Sequence, residues 1–216
     1  MFMCLSSRAH ADPSPGGIPS PPFVELTAHG PSDPRRGAVE DFIREIYARR
    51  YGAQVAHFAP ILVGLRENGE LLAAAGYRNA GTDRLFLERY LPAPVDALLA
   101  AHAAARPARE RIAEVGHLAA SRSGEGRRLI QLLAPHLAGE GFEWVVGTVT
   151  QELRKMLLRL GIVPLTLGVA DPAALGDEAG HWGSYYEHQP VVLAGHLRRA
   201  LRRPGGRRPS VSEGGE

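Results

Sequence analysis

The stretch Glu114–Ile130, EVGHLAASRSGEGRRLI, decides how the rest of the chain is read. It continues a β-like run, RIAEVGHLAA, and passes through a loop carrying Gly124 and Gly126. A helical pattern follows over residues 125–139, already apolar at Leu129 and Ile130. Strand, glycine loop and helix make an anion site wherever loop amides and a helix N-terminus converge. The same three elements also make an ordinary strand-to-helix turn. Two glycines leave both readings open, so the flanking sequence has to supply the context.

Downstream, FEWVVGTV reads as a strand. Thr150 then caps a helix whose Leu153, Met156, Leu157 and Leu160 recur at helical spacing, and Gly161 stops it as a C′ glycine. VPLTLG returns as a strand, residues 170–190 read as a long loop, and PVVLAGHL enters a last strand or helix. Upstream, residues 34–51 place Ala38, Val39, Phe42, Ile43, Ile46 and Tyr47 on one stripe, after an Asp33 cap and a first-turn Pro34. ILVGLRENGELLAAAGYR is a hairpin, because Asn68-Gly69 suits a type I′ turn with positive φ at both centres. RLFLERY reads as a further short strand and PVDALLAAHAAA as a helix. Antiparallel neighbours in the first half and crossovers in the second predict an α/β (α+β) fold. It has a mixed, mostly antiparallel central sheet with helices on both faces. Leu62, Leu71, Val115, Leu118, Val145, Val146, Leu157 and Leu160 are expected to share one core.

At 216 residues, 44% hydrophobic and 22% charged, the composition is that of an ordinary globular domain. Residues 1–22, rich in Pro, Gly and Ser, are expected to be disordered, residues 23–202 to form a single domain, and the Arg/Gly-rich residues 203–216 to be a disordered tail. Net charge is +2, but the last 19 residues carry six arginines and two glutamates, which leaves −2 for residues 1–197. The domain is therefore not a basic nucleic-acid surface. Cys4 is the only cysteine, which excludes an intrachain disulfide and a thiolate metal cluster. No apolar run reaches the roughly 18–20 residues of a membrane span, and the N-terminus lacks the apolar core of a secretory signal. A soluble, cytoplasmic protein is expected. His181, His188 and His196 match no ligand spacing, so no metal is expected. No Gly-x-Ser-x-Gly elbow points to a hydrolase.

The element order resembles the GNAT acyltransferase fold, in which a central strand runs into a glycine loop that holds the acyl donor's pyrophosphate. The family loop is Gln/Arg-x-x-Gly-x-Gly/Ala. SRSGEG keeps both glycines and has Ser121 in first position. GTVTQELRKMLLRLGIVPLTLG is similar to the matching segment of acyl-homoserine-lactone synthases. Those have Glu-x-x-Arg on the central strand, where this chain has Glu114 and His117, and a hairpin-strand Gly-x-x-Arg, where AGYR places Arg78 at a different spacing. From about residue 35 to 200, HFAPILVGLR, LFLERYL, RIAEVGHLAA, GFEWVVGTVT and HWGSYYEHQPVVLAGHL resemble the thermostable hemolysin family.

The resemblance implies an N-acyltransferase that moves an acyl group from acyl-CoA or an acyl-carrier protein to a small-molecule amine. The donor is a co-substrate, and no cofactor is held permanently. The other reading is a non-enzymatic, membrane-active or binding protein on the same scaffold. Gly124, Gly126 and the amides of Arg127 and Arg128 suit a donor phosphate, with Arg122, Arg127 and Arg128 adding charge; a turn with solvated arginines is the alternative. Glu114 and His117, three apart, face opposite sides of a regular strand. A bulge at Val115–Gly116 would bring them together as base and relay, and structural hydrogen bonding is the alternative. Arg78 suits an acceptor carboxylate or carrier phosphate, or else a salt bridge. In HWGSYYEHQP, Trp182 is expected in one wall of the pocket and Tyr185 or Tyr186 as the leaving-group acid, unless the aromatics only pack.

Overall fold

The computed structural model describes residues 23–82 and 84–201. The predicted N-terminal and C-terminal disordered segments lie outside those residues. The Asn68-Gly69 pair forms the expected turn, with φ of 50° and 87°. It joins β2 (Ile61–Glu67) to β3 (Glu70–Asn79). To one side of this hairpin lies β1 (Val24–His29), and to the other β4 (Ile112–Ala120), followed by β5 (Trp144–Val149), β7 (Val191–His196) and β6 (Leu165–Val169). Every neighbouring pair in this seven-stranded sheet is antiparallel except β4 with β5.

Alternation along β3 sorts the two faces. Ala74 packs with Val39, Ile43 and Ile46 of α1 (Arg36–Tyr51). Ala73, Ala75 and Tyr77 pack with Leu129, Leu133 and Leu137 of α3 (Glu125–Gly139). Ile112 and Val146 lie under Val95 and Leu99 of α2 (Val95–Ala100), which is shorter than its alanine-rich sequence suggests. α4 (Gln151–Arg159) follows β5, and α5 (Leu197–Leu201) follows β7.

The single-core expectation is corrected by the sheet itself. Leu62 and Leu71 belong to the α1 side, Val115, Leu118 and Val145 to the α3 side, and Val146 to the α2 side. A sheet covered on both faces separates its apolar clusters by construction. Leu157 and Leu160 are not in any core, because α4 has no buried residue. RLFLERY is not a strand. Phe86–Tyr90 is a 3₁₀ segment, wound because the N–H groups of Phe86 and Leu87 both donate to the Glu114 carboxylate. Asp33 does not cap α1 directly; it closes the preceding turn by accepting from the Arg35 N–H and pairing with His29. The predicted loop at 170–190 is wound into 3₁₀ turns over Pro172–His188, kinked at Gly176 and Gly183. Thr150 does cap α4, accepting from the Leu153 N–H.

Candidate active site

β4 and β5 run parallel only at their first residues. Their register stops at Glu114 opposite Val146, and beyond that point the strands part. At the apex a Cβ on Gly147 would stand 2.7 Å from the Val115 carbonyl oxygen, so only glycine lets the strands meet there before they splay. The sequence signal for it is a glycine inside the β-branched run of WVVGTV, which periodicity alone does not distinguish from any other strand residue. The gap opens into a cleft of about 500 Å³. One wall is Ile130 and Leu133 of α3, and another is Leu153, Met156 and Leu157 of α4. The apolar stripe of α4 thus faces this cleft in place of a core.

The glycine loop stands at the cleft. Gly124 has a φ of 96° and opens α3, and no side chain caps that helix. Among the described residues, the Gly126 and Arg127 amides, in the helix's first turn, have no hydrogen-bond partner. Gly124, Gly126 and Arg127 line the cleft with Arg122. Arg122 pairs with Glu70, and Arg128 with Glu67 and Glu125. Arg127 has no ion pair among the described residues and is exposed.

The predicted bulge exists, but two residues later than Val115–Gly116, at His117–Leu118. Gly116 pairs with Gly76 and Ala119 with Ala74, so His117 and Leu118 together oppose Ala75. His117 takes up the strain with a φ of 54°. The result brings Arg78, Glu114 and His117 to one face of the sheet. Arg78 is the register partner of Glu114, and a Cβ on Gly76 would point at His117 Nδ1, 3.2 Å away.

Within that group the two acid–base candidates differ. The Glu114 carboxylate is buried and engaged: Oε2 accepts from the Phe86 N–H at 2.9 Å, Oε1 from the Leu87 N–H at 2.8 Å, and Arg78 Nε lies 3.3 Å away. Desolvation raises its pKa, opposed by those amides and by Arg78. It does not line the cleft, and through the Phe86 and Leu87 amides it caps a 3₁₀ segment. His117 does line the cleft. Its Nε2 lies 3.1 Å from the His57 carbonyl oxygen, which only accepts, so Nε2 carries the proton and Nδ1 is a bare lone pair. Nδ1 is buried without a hydrogen-bond partner among the described residues. Desolvation, followed by the Arg78 charge, pushes the imidazole down to about 4.

The aromatic segment folds over this face. The Tyr185 hydroxyl donates to the Thr148 carbonyl at 3.2 Å, and its ring lines the cleft. Tyr186 is turned away from the cleft, its hydroxyl 2.6 Å from that of Tyr90. Burial pushes both tyrosines above their ordinary pKa, Tyr185 furthest. Trp182 contacts Tyr47, Phe86 and Tyr185. Gly183 is where this segment crosses the end of α1: its φ is 51°, and a Cβ there would sit 2.0 Å from the Tyr51 carbonyl oxygen.

A mixed sheet whose one parallel pair splays beside a glycine loop, with a bulged central strand, defines the GNAT-like acyltransferase fold. Solved structures of that fold align over most of the chain. The acyl-homoserine-lactone synthase LasI matches with a TM-score of 0.56 and 16% identity, over 85% of this chain and 95% of its own. FeeM, an N-acyl amino acid synthase from uncultured soil microbes, matches with a TM-score of 0.56 and 16% identity, over 83% and 94%. BjaI, a CoA-dependent acyl-homoserine lactone synthase solved with SAM and isopentyl-CoA, matches with a TM-score of 0.57 and 13% identity, over 83% and 86%. No curated protein matches the sequence. The family model for thermostable hemolysin matches residues 29–201, and the chain belongs to the thermostable hemolysin family.

Proposed function

We propose that this protein is an N-acyltransferase that takes its acyl group from acyl-CoA or an acyl-carrier protein and delivers it to a small-molecule amine. One observation carries the reading: uncapped α3 amides and Arg127 stand at an apolar cleft that begins where β4 and β5 part. An anionic phosphate meets free N–H groups and a helix N-terminus at the loop. The apolar walls of the cleft suit the acyl chain. The amine nitrogen attacks the thioester carbonyl carbon, a C–N bond forms and the C–S bond breaks. His117 enters as a neutral imidazole, because its pKa lies near 4. In this reading the His117 ring turns its Nδ1 lone pair from Gly76 into the cleft when the amine binds, takes the amine's proton there and, being a strong acid once charged, passes that proton to the departing thiolate. Tyr185 holds its own proton too firmly for that transfer and acts as a wall. In this reading Tyr186 also packs. Glu114 fixes the Phe86–Tyr90 segment and Arg78; Arg78 and Trp182 do not line the cleft, and in this reading they support the acceptor side from behind Glu114 and Tyr185.

The test is binding of CoA and acyl-CoA by calorimetry, with Gly126→Asp as the variant. A Cβ at this position makes only ordinary contacts, 3.7 Å to Ala120 and 3.9 Å to Met156. An acid in the first helical turn favours the fold, yet it places a carboxylate where the phosphate would sit. Gly126 is buried, so desolvation of the new carboxylate opposes the helix-dipole gain and a melting curve is recorded alongside; in the folded variant affinity should fall about 10- to 100-fold, the equivalent of one lost charge-assisted contact. Binding that is absent for every thioester, or indifferent to the substitution, removes the donor site.

A further inference from the structure

α4 covers the cleft with one face, and among the described residues nothing covers the other. Arg154, Lys155 and Leu158 form its outward row and are exposed, while Arg159, also exposed, reaches round to line the cleft. Leu158 is 48% exposed, Val163, just past the helix, 83%, and Val169 on β6 68%. Three of the six exposed large hydrophobics among the described residues therefore fall within Leu158–Val169. Among the described residues β6 is the edge strand, and no further strand closes over this side. The acid of the helix, Glu152, is taken by Arg50. Arg154, Lys155 and Arg159 have no ion pair among the described residues.

We propose that the outer face of α4 and the turn after it rest on an anionic lipid surface. Aliphatic side chains flanked by long cationic ones suit a bilayer interface: the apolar tips enter the acyl boundary while the cations stay at the headgroups. Each cation held near an anionic surface strengthens partition about fivefold. An acidic carrier protein would satisfy the cations but gives no reason for Leu158 and Val163 to stand out beside them. The same stretch reaches the cleft through Ile162 and Pro164, so a surface at α4 lies next to the apolar walls. The proposal stands apart from acyl transfer, since the helix can dock whether or not the cleft turns over.

The experiment uses the full chain and needs no acyl donor. Vesicles of phosphatidylcholine with about 30% phosphatidylglycerol are compared with pure phosphatidylcholine by sedimentation at low salt. The wild type should bind the anionic vesicles and release them as salt rises. R154E/K155E should bind at least about 25-fold more weakly, with an unchanged melting curve. Because Arg202, Arg203, Arg207 and Arg208 also attract anionic lipid, a variant with these four changed to Gln is the control. It should lose affinity but keep the second signal: Leu158→Trp fluorescence, corrected for Trp144 and Trp182, quenched by brominated lipid. Three outcomes overturn the proposal. They are a reversed-charge α4 that binds like the wild type, a Trp at position 158 that brominated lipid does not quench, and capture by an acidic carrier protein without vesicle binding.

Discussion

Replacing Gly183 by alanine should unlatch the aromatic segment from α1. The new Cβ would stand 2.0 Å from the Tyr51 carbonyl oxygen and 3.0 Å from the Gly52 carbonyl carbon. Both are backbone atoms, so neither can swing aside. To reach even 3.0 Å from the oxygen, the segment must retreat by 1 Å. That retreat strains two anchors, the Ser184 hydroxyl donating to Tyr51 O at 3.3 Å and the Gln54 N–H donating to His181 O at 2.6 Å. The conformation adds its own cost. At φ 51° and ψ −130° an L side chain is held in a region that costs about 1–3 kcal/mol. With roughly 1 kcal/mol for each weakened hydrogen bond, the loss comes to about 3–5 kcal/mol. For a chain of this size that is a fall in Tm of roughly 6–20 °C. Urea and thermal melts followed by circular dichroism measure it. Gly180→Ala, three residues earlier and with nothing within 4 Å of the new Cβ, is the matched control and should stay within about 0.5 kcal/mol. A Gly183→Ala protein that melts like the control refutes the latch, and with it the fixed placement of Tyr185 in the cleft wall.

Glu114→Gln keeps the shape of the side chain but faces one of two backbone N–H groups with an amide N–H, and should cost about 1–3 kcal/mol in a urea melt; an unchanged midpoint means the carboxylate is not capping Phe86–Tyr90. His117 has a native pKa near 4, below its ordinary 6.5. The unfolded chain therefore binds more protons between those values, and stability should be full above about pH 6.5 and decline as pH falls toward 4. His117→Gln should flatten that part of the profile, and an equally steep decline in the variant would assign it to other groups. Tyr186→Phe should leave acyl transfer, if present, within a few-fold of wild type, since that hydroxyl meets Tyr90 and not the cleft. A loss of turnover beyond tenfold with donor binding intact would return Tyr186 to the chemistry.

What could be read ahead of the structure were the features whose causes are local. Asn68-Gly69 makes its own turn, Thr150 and Gly161 bracket α4, and Gly124 opens α3. The site was legible as a list but not as a set of roles. Glu114 looked like a spare carboxylate in a strand because its partners, Phe86 and Leu87, come 28 and 27 residues earlier. RLFLERY hid them, since its consecutive Leu85, Phe86 and Leu87 read as a short apolar strand, and the acid from β4 that holds its 3₁₀ turn is remote in sequence. His117 shows the same limit from the other side. A bulge near Gly116 was foreseeable, but which residue accepts the positive φ depends on where β3 resumes its register. Gly147 and Gly183 carry the point furthest. In the sequence each is one glycine in an apolar or aromatic run. In the fold each is the place where two backbones approach too closely for a Cβ, one setting where the strands begin to part and the other where the aromatic segment crosses α1. The cleft is therefore defined as much by two missing side chains as by those that line it. Their absence has meaning only once the opposing carbonyls of Val115 and Tyr51 are in place.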